Sequence, residues 1–280
     1  MDINNRPTYL EKLDFSRAEV AAFYDELPLW SAPFALMMLD RIPMQRGLKI
    51  ADVGSGTGFL SIELAQRCGD STVYAVDPWK AAAERLRAKI DYLKLDNISI
   101  VEQDAASIDL PDGSIDIVVS NLGINNFEDA DGVLQTCQRI LKHDGRLFLT
   151  SNLVGHMREF YDVYRQTLVE LKLEEFLPNL DAHIHHRATI ESIGKRLERA
   201  GFEVMDVDES SFQMRFADGS SLLRHYFIRL GFVQEWASVV GPENVQAVFS
   251  ALETNLNEYA RDRGELALTI PMACVEARRS

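Results

Sequence analysis

Short apolar runs recur along this chain with a helix-like stretch after most of them, and that alternation restricts the fold more than any other feature. "LKIADV" (48–53), "TVYAVD" (72–77), "ISIVEQD" (98–104), "SIDIVVSN" (114–121) and "RLFLTSN" (146–152) read as strands, and "FEVMDVDE" and "LALTIPMACVEA" (266–277) supply two more. Near-continuous apolarity over five or six residues marks strands buried on both faces, which belong to parallel sheets covered by helices. "FLSIELAQRC" after the first run reads as a helix. A second helix reaches residue 94, with Leu86, Ile90 and Leu93 on one face. These units predict an α/β fold, a Rossmann-like, mostly parallel seven-stranded sheet with helices on both faces. The link from Asp104 to the fourth strand is too short for a full crossover helix, and the helix before the fifth strand is predicted to end near "KHDG".

Two stretches break the rhythm. "RAEVAAFYDELPLWSAPFALMMLDRI" reads as one or two helices ahead of the first strand, and residues 218–230 and 243–262 form amphipathic helices. Both are expected to cover the carboxyl edge of the sheet. The organisation that follows is a single domain over 1–280: an N-terminal helical cap (1–46), a core (47–210 plus 265–280) and a helical insertion or lid (211–264). A hydrophobic fraction of 46% suffices to fill such a core. The start "MDINNRPTYLEKLDF" has neither basic nor apolar character, and no long apolar run follows, so the expectation is a cytoplasmic protein without export signal or membrane span. Cys68, Cys137 and Cys274 are far apart and predict packing rather than disulfides or zinc. Forty-three acidic against twenty-nine basic residues give a net charge of −14, which argues against nucleic acid as a partner.

The loop behind the first strand, "VGSGTGF", carries Gly54, Ser55, Gly56 and Gly58. Glycines are grouped where backbone must take positive φ or let a ligand come close. In an open parallel sheet that loop lines the ligand crevice. Phe59 departs from the G-x-G-x-x-G spacing of dinucleotide sites, and Asp52 opposes a pyrophosphate while suiting an ammonium group. Asp77 ends the second strand, placed to accept from ribose hydroxyls. Asp104, before Ala105, is positioned to accept from an adenine amine, with Pro78 and Trp79 as apolar surface for the base.

"IADVGSGTG", "VYAVDPW", "EQDA", "SIDIVVSN" and "ILKHDGRLFLTSN" resemble, in order, the motifs of the class I S-adenosylmethionine-dependent methyltransferases. The resemblance implies strand order 3-2-1-4-5-7-6 with the seventh strand antiparallel, and S-adenosyl-L-methionine as cofactor with S-adenosyl-L-homocysteine as product. It also implies an aromatic N-terminal element at the methionine end of the cofactor, for which Tyr24 and Trp30 are the candidates. Asn121, Leu122 and Gly123, in "SNLG", stand where other members carry [DN]-P-P-[YF], which argues against the branch that methylates exocyclic or amide nitrogen through that motif. The tail is faintly similar to methyltransferases that esterify malonyl groups on acyl-carrier proteins, for which Arg215, Arg224 and Arg229 would have to supply a basic face.

Methyl transfer from a sulfonium is driven by alignment and desolvation, so no base signature is required. His156, beyond the fifth strand, is the candidate base, with Tyr161 one turn further on. His183, His185 and His186 suggest a metal, but adjacent histidines on a polar loop do not converge on one ion without carboxylates, so no metal is expected. The reading is a methyltransferase for a small-molecule acceptor at O, N or C. Its rivals are an NAD(P)-dependent oxidoreductase, a non-catalytic S-adenosylmethionine-binding module, and a methyltransferase of protein or carrier-bound acyl groups.

Overall fold

The structure, a computed structural model, describes residues 7–26 and 29–280, without the Glu26 side chain. Residues 1–6, which begin the stretch read for an export signal, and Leu27 and Pro28, inside the aromatic N-terminal element, lie outside the described residues. Seven strands, β1 (Lys49–Val53), β2 (Thr72–Val76), β3 (Ile98–Val101), β4 (Ile115–Asn121), β5 (Leu141–Asn152), β6 (Phe202–Phe216) and β7 (Leu266–Arg279), form one sheet in the order β3-β2-β1-β4-β5-β7-β6. The first five pair in parallel, and β7 lies antiparallel on β5, from Arg146 opposite Arg278 to Asn152 opposite Met272. Sheet class and strand order are those the sequence led us to expect.

The helices are α1 (Ala18–Glu26), α2 (Ala32–Leu39), α3 (Phe59–Arg67), α4 (Lys80–Leu93), α5 (Ala130–Ile140), α6 (Arg158–Glu170), α7 (Leu177–His185), α8 (Ile190–Arg199), α9 (Gly219–Arg224), α10 (Tyr226–Gly231), α11 (Val233–Ser238) and α12 (Val245–Arg263). Local chemistry moves some boundaries from those expected. Helix α5 ends at Ile140, near "KHDG" as expected, but β5 begins at once with Leu141 and "KHDG" itself is a bulge within that strand. The register with β4 jumps from Ile115 opposite Leu141 to Ile117 opposite Arg146, and Asp144 takes a φ of 60° to make the excursion. The helix expected over 218–230 is broken at His225, whose backbone is extended, so α9 and α10 are separate turns. Between Asp104 and β4 there is a 3₁₀ turn, Ala105–Ser107, and no crossover helix.

The chain divides into two compact units. The sheet unit comprises residues 15–152, 188–210 and 272–280. Its core is Ile50, Val53, Val73, Val76, Val118, Val119, Phe148 and Leu149 on the strands, with Leu64, Leu86, Leu134 and Ile140 from the helices over them. The helical unit comprises the described residues up to Asp14 with 153–187 and 211–271. There α12 packs on α6 and α9, burying Val248, Phe249, Leu252 and Leu256 against Phe160, Tyr164, Leu168, Leu222 and Leu223. Each such side chain contributes about 1.5–3 kcal/mol on removal from water. Among the described residues, no helix is long and apolar enough to cross a membrane.

Candidate functional site

The end of β1 is where regular backbone gives way to glycine chemistry. Gly54, Gly56 and Gly58 have φ of 80°, 52° and 81°, a region that side-chain-bearing residues reach only with strain. The amides of Gly54 and Ser55 both donate to the Val76 carbonyl, at 2.9 and 3.0 Å, which turns the chain sharply away from the sheet. Gly58 then caps α3, and its lack of a side chain lets Leu86 of α4 pack against it: a Cβ would stand 2.2 Å from the Leu86 Cδ1. Gly54 lies close to Gly123 from the turn after β4, where a Cβ would be 3.2 Å from the Gly123 Cα. Two bare backbones thus meet at the carboxyl ends of β1 and β4.

Asp77 ties this loop to the next strand. Its Oδ2 accepts from the Gly56 amide at 2.8 Å and its Oδ1 from the Trp79 amide at 2.9 Å. A carboxylate offers about four acceptor positions, so two are left for further donors. Burial raises the Asp77 carboxyl above its ordinary range, against the pull of those two amides. Asp52 is 1% exposed and accepts from Ser61 Oγ at 2.6 Å. Burial, with a further contribution from the Asp77 charge, pushes its carboxyl up to about 7 although the Ser61 hydroxyl opposes this.

Aromatic residues flank the loop within the same unit. Trp79 meets Phe15 edge-on at 5.4 Å and Tyr24 edge-on at 5.6 Å, and its Nε1 donates to the Phe15 carbonyl at 2.7 Å. Tyr24 lies beside the loop, since a Cβ on Gly56 would be 3.8 Å from its Cε1, and its hydroxyl is raised by burial and then by Asp77. Pro78 is exposed. Trp30 tilts against Phe34 at 5.7 Å. Asp104 is exposed and caps the 3₁₀ turn, accepting from the Ala106 amide at 2.7 Å, while Ala105 is buried. Asn121 is held on both sides: Nδ2 donates to the Ser31 carbonyl at 3.1 Å and Oδ1 accepts from Thr150 Oγ1 at 2.8 Å. Leu122 takes a positive φ of 64°, its amide donating to the same Thr150 hydroxyl at 3.0 Å.

His156 belongs to the helical unit. Its ring is 2% exposed and stacks on Phe232 at 5.5 Å. Burial, then the charges of Arg187, His183 and His186, holds it well below the usual histidine range, so it is neutral at physiological pH. His185 Nδ1 pairs with the Asp181 carbonyl and His186 Nδ1 with the His183 carbonyl. Among the described residues, no three His, Cys, Asp or Glu side chains are grouped to hold a metal ion.

Several neighbours of the loop escaped the sequence reading. The Phe127 ring would touch a Cβ on Gly54 at 3.3 Å and one on Gly123 at 2.9 Å, yet it sits in a loop with no periodicity to reveal it. Thr150 was visible only as a polar residue closing an apolar run. Asp25 accepts from Arg85 at 2.8 Å and Lys89 at 2.5 Å, fastening α1 to α4.

Bare backbone and a carboxylate with spare lone pairs stand together at the ends of β1 and β2, a pairing that suits a nucleoside. With the strand order, this defines a class I methyltransferase fold. Residues 51–149 match a family model described as a methyltransferase domain. A malonyl-[acyl-carrier protein] O-methyltransferase of Halorhodospira halophila is 27% identical over 203 residues, 72% of this chain and 64% of that protein. The match thus spans under two thirds of that relative's length. A ubiquinone/menaquinone biosynthesis C-methyltransferase, UbiE, of Shewanella frigidimarina is 28% identical over 171 residues, 57% of this chain and 68% of that protein. Among solved structures, an S-adenosylmethionine-dependent methyltransferase from Aquifex aeolicus shares the fold at TM-score 0.53 and 21% identity, covering 70% of this chain and 92% of that one. In its motifs and in its fold the chain is similar to the class I S-adenosylmethionine-dependent methyltransferases, whose cofactor is S-adenosylmethionine.

Proposed function

We propose that this protein transfers a methyl group from S-adenosylmethionine to a small-molecule acceptor. The observation that carries the reading is the three-glycine loop at the end of β1, anchored through Gly56 to a carboxylate that keeps acceptor capacity. On this reading Asp77 receives the ribose hydroxyls, and Gly54, Ser55, Gly56 and Gly58 let the nucleoside rest on the main chain. Pro78, Trp79, Asp104 and Ala105 border the base. Asp52, Tyr24 and Trp30 serve the amino-acid end, and Asn121, Leu122 and Gly123 form the opposite wall. When bound, the cofactor supplies a methyl group on a sulfonium whose departure leaves a neutral thioether. The protein's part is to orient donor and acceptor and to exclude water, a contribution worth about 7–11 kcal/mol where alignment is good. His156 is buried and neutral, and the burial that keeps it neutral also makes it a weak proton acceptor, so the transfer is read as not depending on a histidine base. The acceptor atom, whether O, N or C, is left to experiment.

A carrier-protein acceptor is disfavoured by the arginines that would have to greet it. Arg215 is bound to Glu265 through two nitrogens and Arg224 to Glu253, which neutralises both, while Arg229 donates to the Thr8 carbonyl. Two titrations test the proposal. Calorimetry with S-adenosylmethionine and NADPH is expected to register the first and not the second. Incubation with methyl-labelled cofactor and small-molecule extract is expected to yield labelled product, and bound cofactor with no labelled product would mean a binding module instead.

A further inference from the structure

The helical unit contains a polar cluster that the cofactor reading does not use. It is built from Tyr161 on α6, His183 on α7, Arg187 just beyond α7, and Glu235 and Trp236 on α11. Trp236 Nε1 donates to the Tyr161 oxygen at 3.2 Å, and the positive charge of Arg187 is near enough to oppose the rise that burial gives the phenol. An indole N–H can only donate, so the phenol oxygen is the acceptor in that bond. The phenol oxygen also stands 3.1 Å from His183 Nε2, within hydrogen-bond reach. Burial, His186 and Arg187 push His183 down to about 4, so this imidazole is neutral at physiological pH.

Arg187 is therefore the permanent positive charge of the cluster, and it is poorly compensated. Its side chain is 13% exposed, its Nε is buried without a hydrogen-bond partner among the described residues, and its ion-pair partner Glu235 stands 4.0 Å from Nη2 on a side chain that is 57% exposed. Asp181 is occupied by Arg165. Holding a guanidinium out of water with a distant, solvated counter-ion costs free energy that a closely bound anion would return. In a chain of net charge −14, such a site attracts an anion only through local contacts.

We propose that this cluster binds the carboxylate of a small organic acid, with the Arg187 guanidinium as its anchor and His183 beside it. A single permanent cation matches a monoanion better than a phosphate dianion, and the planar fork of arginine suits a carboxylate. Phe160, Trp236, Phe232 and His156 stack in succession nearby, at 3.9, 5.6 and 5.5 Å, giving the surroundings an aromatic character that favours acids with an apolar body. The proposal concerns binding and does not rest on methyl transfer.

Calorimetry with benzoate, phenylacetate and hexanoate, each with and without S-adenosylhomocysteine, tests it, with benzamide and phenyl phosphate as the neutral and dianionic controls. At least one acid is expected to bind at millimolar concentration or better and to shift the ¹⁵N resonances of His183, with both controls at least about tenfold weaker. Arg187→Met is expected to weaken the acid by about tenfold to a hundredfold, and Arg187→Lys to recover part of the loss. S-adenosylhomocysteine titrated into each variant reports separately on the cofactor site and on folding. No heat from any acid, controls that bind as well as the acids, or an unchanged affinity in folded Arg187→Met would overturn the proposal, whatever becomes of the cofactor reading.

Discussion

Asp77 performs two tasks with one carboxylate, holding the glycine loop and, as proposed, receiving the ribose. Asp77→Ala is expected to weaken S-adenosylhomocysteine by at least about tenfold in calorimetry, because a hydrogen bond to a charged acceptor is worth about 1.5–3 kcal/mol. Asp52 carries a sign that can be tested. Its folded carboxyl, at about 7, lies above the ordinary value of 3.8, so the native state holds a proton that the unfolded chain releases. This group's contribution to stability is complete below the unfolded value and is lost as pH rises towards 7. Thermal melts of cofactor-free wild type are expected to lose stability across that window relative to Asp52→Asn. If the cofactor's ammonium lies near Asp52, cofactor affinity should rise with pH over the same range and level off above about 7, with proton release visible in buffers of different ionisation enthalpy. At Gly54, alanine would meet Gly123 and Phe127 at a φ of 80°, and loss of cofactor binding is expected.

Helix α1 is short and carries few buried side chains, so its position depends on Asp25. Burial raises this carboxyl, but the hydrogen bonds from Lys89 and Arg85 outweigh burial and leave it below the ordinary range. The stability it supplies is present above the unfolded value and is lost as pH falls below it. Asp25→Ala leaves Lys89 and Arg85 without this partner. The expected result is faster amide exchange in α1 and a faster cofactor off-rate, measured by exchange mass spectrometry and stopped flow, with β1 to β5 unaffected. Helix α8 gives an independent check. Thr189 and Ser192 cap it reciprocally, and Thr189→Ala is expected to cost about 1 kcal/mol in denaturant unfolding without touching cofactor affinity.

Each unit is assembled from three stretches of chain, and β7, the last strand, lies between β5 and β6 in the sheet. Removal of residues 266–280 leaves the matched region 51–149 intact in sequence but strips β5 of its antiparallel neighbour. That truncated chain is expected to be insoluble on expression, because the newly opened edge and the apolar side chains β7 had covered are left to water. The sheet and its glycine loop were legible in the residues because parallel strands need long apolar runs and a sharp turn needs glycine, both local demands. The break at His225, the bulge at "KHDG", the approach of Arg187 to Tyr161 and the bond between Tyr161 and Trp236 were not. These depend on which distant surfaces come together, and a side chain's partner across 26 or 75 residues leaves no period in the sequence. The order of residues thus determined the type of each main element and the place of the loop. Tertiary packing alone decided which carboxylates are buried and raised, which histidines are neutral, and where a charged guanidinium is left short of a counter-ion, since those properties follow from desolvation and proximity.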